Sequence, residues 1–149
     1  MVIPINLLEK ALFEISQKIP PEKAKYMNAV VLAYLGDAVH CLYVREKLAF
    51  SSQAKSGVLN KTAANLICAT AQAQAADILL PLLTKEESDI FRRAKNAKKP
   101  TKAKNTSRME YCKSTGFEAL IGYLYVTGQE NRLNELLAVL YEKGEENDS

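Results

Sequence analysis

Two carboxylates stand where a helical chain tolerates them least. In LAYLGDAVHCLYVR, from Leu32 to Arg45, Asp37 falls at the edge of an apolar stripe made by Val30, Tyr34, Ala38 and Cys41. In STGFEALIGYLY, Glu118 falls at the edge of a stripe made by Phe117, Leu120, Ile121 and Leu124. A buried ionised carboxylate without a partner costs several kcal/mol, so such an acid needs a cation, a metal or a set of donors. Each acid also has glycine nearby, Gly36 for the first and Gly116 and Gly122 for the second. A mid-helix glycine costs ~1 kcal/mol relative to alanine and gains nothing locally. Penalties that coincide in this way point to a site rather than to plain core.

If Asp37 and Glu118 converge in a helical bundle, their oxygens suit a hard divalent ion. Mg²⁺ takes oxygen ligands, uses one or two protein carboxylates and leaves its other positions to water and substrate phosphate. The chemistry implied is phosphodiester hydrolysis. Blander readings compete: Asp37 as a salt-bridged structural residue, Glu118 as a surface glutamate paired with a lysine. His40, the sole histidine, lies off the Asp37 stripe and reads as an ordinary, partly exposed residue. The chain has no glycine-rich phosphate loop, no nucleophilic-serine motif and too little His and Cys for zinc.

A second feature precedes Glu118. The segment RRAKNAKKPTKAKNTSR carries Arg92, Arg93, Lys95, Lys98, Lys99, Lys102, Lys104 and Arg108, with no acid and almost nothing apolar. It reads as a basic loop between two helices. A loop of that length inside a small domain is uncommon unless it binds something. Few aromatics interleave with its cations, which favours a backbone grip on a duplex over base stacking on a single strand. The competing reading is a solvated charge-rich loop kept for solubility.

The elements that position these groups are helical. Leu8, Leu12, Ile15 and Ile19 mark an amphipathic helix over 5–19, stopped by Pro20-Pro21. A long helix runs from Glu22 to about Leu48, and an alanine-rich one from Val58 to Leu80, ended by Pro81. Thr84 and Glu87 form a capping-box pattern that opens a short helix toward Ala94. Met109–Val126 and Asn131–Tyr141 complete an all-α reading, with no alternating β pattern, internal repeat or dividing linker.

The 149 residues suit one domain spanning 1–149. Cys41, Cys68 and Cys112 are odd in number, widely spaced and set among apolar neighbours. They read as reduced core residues of a cytoplasmic protein. No signal peptide or membrane span is legible. The formal charge is only +3, with the basic surplus between Arg92 and Arg108 and acids crowding the C-terminus.

These motifs, in this order, resemble the Mini-III ribonucleases, the short branch of the ribonuclease III family that lacks a separate double-stranded-RNA-binding domain. The likeness runs from about Met27 to Leu140. LAYLGDA with the following Val44-Arg45 is similar to the family's first motif, and STGFEALIGYLY to its second. RRAKNAK, Arg92 to Lys98, resembles the family's RGRNAK, and Lys104-Asn105-Thr106 its KNT. The resemblance implies an all-helical ribonuclease III fold acting as a homodimer. Each subunit would supply an Mg²⁺-dependent site, with Mn²⁺ as a substitute, that cleaves double-stranded RNA to 5′-phosphate and 3′-hydroxyl ends. Asp37 and Glu118 would be the catalytic, metal-binding carboxylates. Arg92, Arg93, Lys95, Asn96, Lys98, Lys99, Lys102, Lys104, Asn105 and Thr106 would bind RNA. It further implies trimming of large-subunit (23S) ribosomal RNA precursor ends alongside a ribosomal protein partner.

The chain departs from the longer family members at Ala33 and Thr115, where they carry Glu and Asp. It also has Ala94 for a family Gly and Thr70 for a family Lys. The alternative to an enzyme is a catalytically silent RNA-binding or ribosome-assembly protein on the same fold. Two costly acids near RNA phosphates favour the enzyme, because binding alone has no use for them.

Overall fold

The computed structural model describes residues 17–98 and 107–146. Its order is α1 (Pro21–Ala24), α2 (Ala29–Ser51), α3 (Ser56–Ile67), α4 (Ala69–Leu79), a 3₁₀ turn (Leu80–Leu82), α5 (Lys85–Asn96), α6 (Arg108–Val126) and α7 (Glu130–Glu146). The described residues contain no strand, and the fold is all-α. The helix expected over 5–19 lies almost wholly outside the described residues.

Local chemistry explains where the helices start and stop. The helix expected from Glu22 to Leu48 is instead two. Asn28 interrupts it, its side-chain oxygen accepting from the backbone nitrogens of Val30 at 2.8 Å and Val31 at 3.3 Å, so α2 begins afresh at Ala29. The Val58–Leu80 helix is likewise broken. Cys68 is extended, with ψ 158°, and separates α3 from α4. Cys68 is also exposed, contrary to its reading as a core residue. At α5 both halves of the capping box form: Thr84 Oγ1 accepts from Glu87 N, and Glu87 Oε1 accepts from Thr84 N.

Helix α6 is the hub. From Ser114 to Leu124 every residue except Glu118 is buried, so this helix is enclosed on nearly all sides by α2, α4, α5 and α7. Phe117, Leu120, Ile121 and Leu124 pack in one cluster with Leu32, Leu79, Ile90, Phe91, Leu136 and Leu137. The α2 helix is buried on one side only, through Ala29, Leu32, Ala33, Gly36, His40 and Val44. That corrects the stripe expected from sequence, since Tyr34 is 78% exposed and Ala38 is exposed too.

The start of α7 is locked to α5 by charge. Glu87 is 3% exposed, and the Arg132 guanidinium donates to both its oxygens at 3.0 and 2.9 Å and to the Leu82 carbonyl at 2.8 Å. Burial pushes the Glu87 carboxyl up, but the donors from Arg132 and Thr84 outweigh it and hold the group below its ordinary range.

Candidate active site

The close crossing of α2 and α6 creates the site. A Cβ at Gly36 would overlap the backbone carbonyl of Glu118 and come within 2.8 Å of the Gly122 nitrogen. A Cβ at Gly122 would overlap the Leu32 carbonyl and lie 3.0 Å from the Gly36 nitrogen. Only glycine lets the two backbones approach so nearly. The helix penalty read from sequence therefore has a tertiary cause, and Gly36 places its neighbour Asp37 directly across from Glu118.

The carboxyls of Asp37 and Glu118 lie close enough to act on one another. Burial first, then the charge of Asp37 and the hydrogen bond with it, raise the Glu118 carboxyl to about 8. Glu118 thus holds a proton at neutral pH, and a carboxyl–carboxylate pair shares it. Cys41, one turn beyond Asp37, donates its thiol to Asp37 Oδ1 at 3.7 Å. Its thiol is pushed up by burial and by Asp37, and pulled back by the Arg45 guanidinium.

The donors at this pair are carboxylate oxygens with a thiol beside them. Among the described residues no group of three or more His, Cys, Asp and Glu gathers that could hold a metal ion. Such a set fits an ion that takes one or two protein carboxylates. Two of the four departures noted in the sequence, Ala33 and Thr115, add no acid. Ala33 is buried, and the Thr115 hydroxyl donates to the Tyr111 carbonyl of its own helix at 2.9 Å. At the third departure, Thr70 donates to Glu110 Oε2 at 2.8 Å.

His40 behaves unlike its sequence reading. It is 1% exposed, with its ring edge-on to Phe117 at 5.0 Å between centroids. The Gln72 side-chain nitrogen donates to Nδ1 at 3.1 Å, which leaves the proton on Nε2, and Nε2 donates to Tyr141 Oη at 2.6 Å. Burial lowers its pKa to about 4 against the pull of Asp37. Burial likewise pushes the Tyr141 hydroxyl up to about 12. This neutral ring ties α2, α4 and α7 together one turn past Asp37. No spacing signal marks His40, Gln72 and Tyr141 as partners, because they come from three separate elements.

The basic residues divide. Arg92, Arg93, Lys95 and Asn96 lie within α5 rather than in a loop. Arg93 is committed to structure, donating to the carbonyls of Lys25 and, at 2.8 Å, Met27, across the turn between α1 and α2. Arg92 is exposed and pairs with Asp89 at 3.2 Å. Asn96 and Lys98 are exposed, and Lys95 is half-buried. Lys99, Lys102, Lys104, Asn105 and Thr106 lie outside the described residues. Among those described, no helix is long and apolar enough to cross a membrane.

Comparison with known proteins places this geometry among others. The family model of the ribonuclease III domain matches residues 30–129. Mini-ribonuclease 3 of Symbiobacterium thermophilum is 45% identical over 108 residues, covering 72% of this chain and 83% of its own length. Mini-ribonuclease 3 of Enterococcus faecalis is 42% identical over 115 residues, covering 76% of this chain and 87% of its own. The crystal structure of a Fusobacterium nucleatum protein superposes with a TM-score of 0.73 at 30% identity, covering 80% of this chain and 95% of that one.

Proposed function

The chain belongs to the ribonuclease III family as an endoribonuclease of the Mini-ribonuclease 3 type, and from that premise we propose that it cuts double-stranded RNA at Asp37 and Glu118. One observation carries the reading: the crossing of α2 and α6 at Gly36 and Gly122 brings the exposed Asp37 and the partly buried Glu118 close enough for the charge of one to act on the other.

Asp37 and Glu118 would hold the divalent ion, Mg²⁺ with Mn²⁺ as a substitute. When bound, that ion supplies the Lewis acidity for phosphodiester hydrolysis, leaving 5′-phosphate and 3′-hydroxyl ends. Glu118 would release its proton to solvent if such an ion were held there. Asp37 keeps its orientation through the Cys41 thiol and stands open to solvent and substrate. The RNA backbone is gripped by Arg92, Asn96 and Lys98 at the end of α5, with the residues that follow them in sequence.

The protein works as a homodimer in a single-domain arrangement. The outer side of α2 supports this, because Val31, Tyr34 and Leu42 form an exposed apolar stripe at helical spacing beside Asp37. A second copy covering that stripe brings two sites to one duplex. The substrate is the end region of the large-subunit (23S) ribosomal RNA precursor in the cytoplasm, presented together with a ribosomal protein.

Incubating the protein with an end-labelled RNA duplex in Mg²⁺, in Ca²⁺ and in chelator tests this. Discrete cuts on both strands with Mg²⁺ are expected. Intact RNA in every condition, with the duplex still bound, would make the protein a silent binder.

A further inference from the structure

Asp37, Cys41 and Arg45 stand at successive turns along one side of α2. Arg45 lies about 12 Å along the helix axis from Asp37. It is close enough for its charge to act on the Cys41 thiol that contacts Asp37. Its side chain is exposed, and among the described residues no ion pair or hydrogen bond engages its guanidinium. Several other cations are committed within the fold: Arg93 to backbone carbonyls, Lys113 to Asp77 and Arg132 to Glu87.

We propose that Arg45 grips a backbone phosphate of the RNA strand that is cut, making a contact on the catalytic helix itself, two turns from Asp37. The proposal rests on the nuclease reading above. An acidic pair repels the phosphates it must approach, and a fixed cation on the same helix face offsets that repulsion. The guanidinium fork matches two phosphate oxygens at once, and the rigid helix sets the distance between the gripped phosphate and the cut. The contact is separate from the α5 cations, because it is carried by the helix that bears Asp37.

The test measures duplex affinity of the full chain over a salt series in Ca²⁺, with a denaturing gel confirming that the RNA stays whole. Wild type, Arg45→Ala and Arg45→Lys are compared, and their oligomeric state is followed by sedimentation. Arg45→Ala should weaken binding about fivefold and reduce the log–log salt slope by about 0.9. Arg45→Lys should recover the slope but only part of the affinity, since it keeps the charge and loses the fork. Unchanged affinity and slope in Arg45→Ala would overturn the proposal. So would a changed oligomeric state with an unchanged slope, which would make Arg45 an interface residue. Wild-type protein that binds no duplex would sink the nuclease reading, whereas wild-type binding with an unaffected Arg45→Ala sinks this proposal alone.

Discussion

The backbone carbonyl of Glu118 lies directly against the α-carbon of Gly36, with no room between them for a Cβ. The residue that follows Gly36 is thereby pinned opposite the side chain of Glu118. Gly36→Ala should force α2 and α6 apart, costing about 3 kcal/mol of stability. A displacement of the acids by about 1 Å should lower cleavage roughly 100-fold. Gly57, whose Cβ would meet nothing within 4 Å, supplies the control. Gly57→Ala should retain full cleavage and gain about 0.5 kcal/mol, read by thermal melting.

The raised carboxyl of Glu118 makes the metal-free protein sensitive to alkali. The folded state holds this proton up to about 8, whereas an unfolded glutamate releases it near its ordinary value of 4.5. Stability from this group is therefore full below 4.5 and is lost as pH rises toward 8. Urea titrations of the metal-free protein between those limits should show the decline, and Glu118→Gln should flatten it. Calorimetry of Mg²⁺ binding at pH 7 in buffers of different ionisation enthalpy should report proton release from wild type and none from Glu118→Gln.

His40 acts at the opposite end of the scale. Its folded pKa of about 4 lies below the ordinary 6.5, so the unfolded chain takes up the proton first. Stability is full above 6.5 and falls as pH drops toward 4, by about 3 kcal/mol in all. Burial of the ring, which disfavours its charged form, is the physical source of the loss. His40→Asn should remove this acid-limb slope while lowering stability at pH 7.

Removing the cation at the α5–α7 junction should be costly. Arg132→Ala leaves the Glu87 carboxylate buried with only the Thr84 contacts, and about 3 kcal/mol of stability should go. Replacing both partners, Glu87→Gln with Arg132→Met, should recover part of that loss. Equal melting temperatures for wild type and Arg132→Ala would show the pair to be inert.

The capping box at Thr84 and Glu87 was legible because it is local chemistry, whereas the breaks at Asn28 and Cys68 were missed inside runs of continuous helical pattern. The sequence pattern misassigned the inner face of α2, where apolar residues surround the helix and periodicity has no single direction. Leu32, Ala33 and Val44 face inward while Val31, Tyr34 and Leu42 face outward, and hydropathy barely separates the two sets. The informative residue was Gly36, since a glycine beside an acid in a helix marks where another backbone arrives. Nothing local could foretell the burial of His40, whose partners Gln72 and Tyr141 lie 32 and 101 residues away. The basic segment read correctly as positive, but its first five residues, Arg92 to Asn96, lie in α5, and Arg93 serves the turn before α2.

The most direct measurement compares wild type, Asp37→Asn and Glu118→Gln for both cleavage and binding of one RNA duplex in Mg²⁺. Both substitutions should abolish cutting while the duplex stays bound, because neither removes an arginine or lysine from the RNA-facing surface. Cleavage at the wild-type rate by either variant would contradict the account, and the paired acids at the Gly36–Gly122 crossing would then not be the active site.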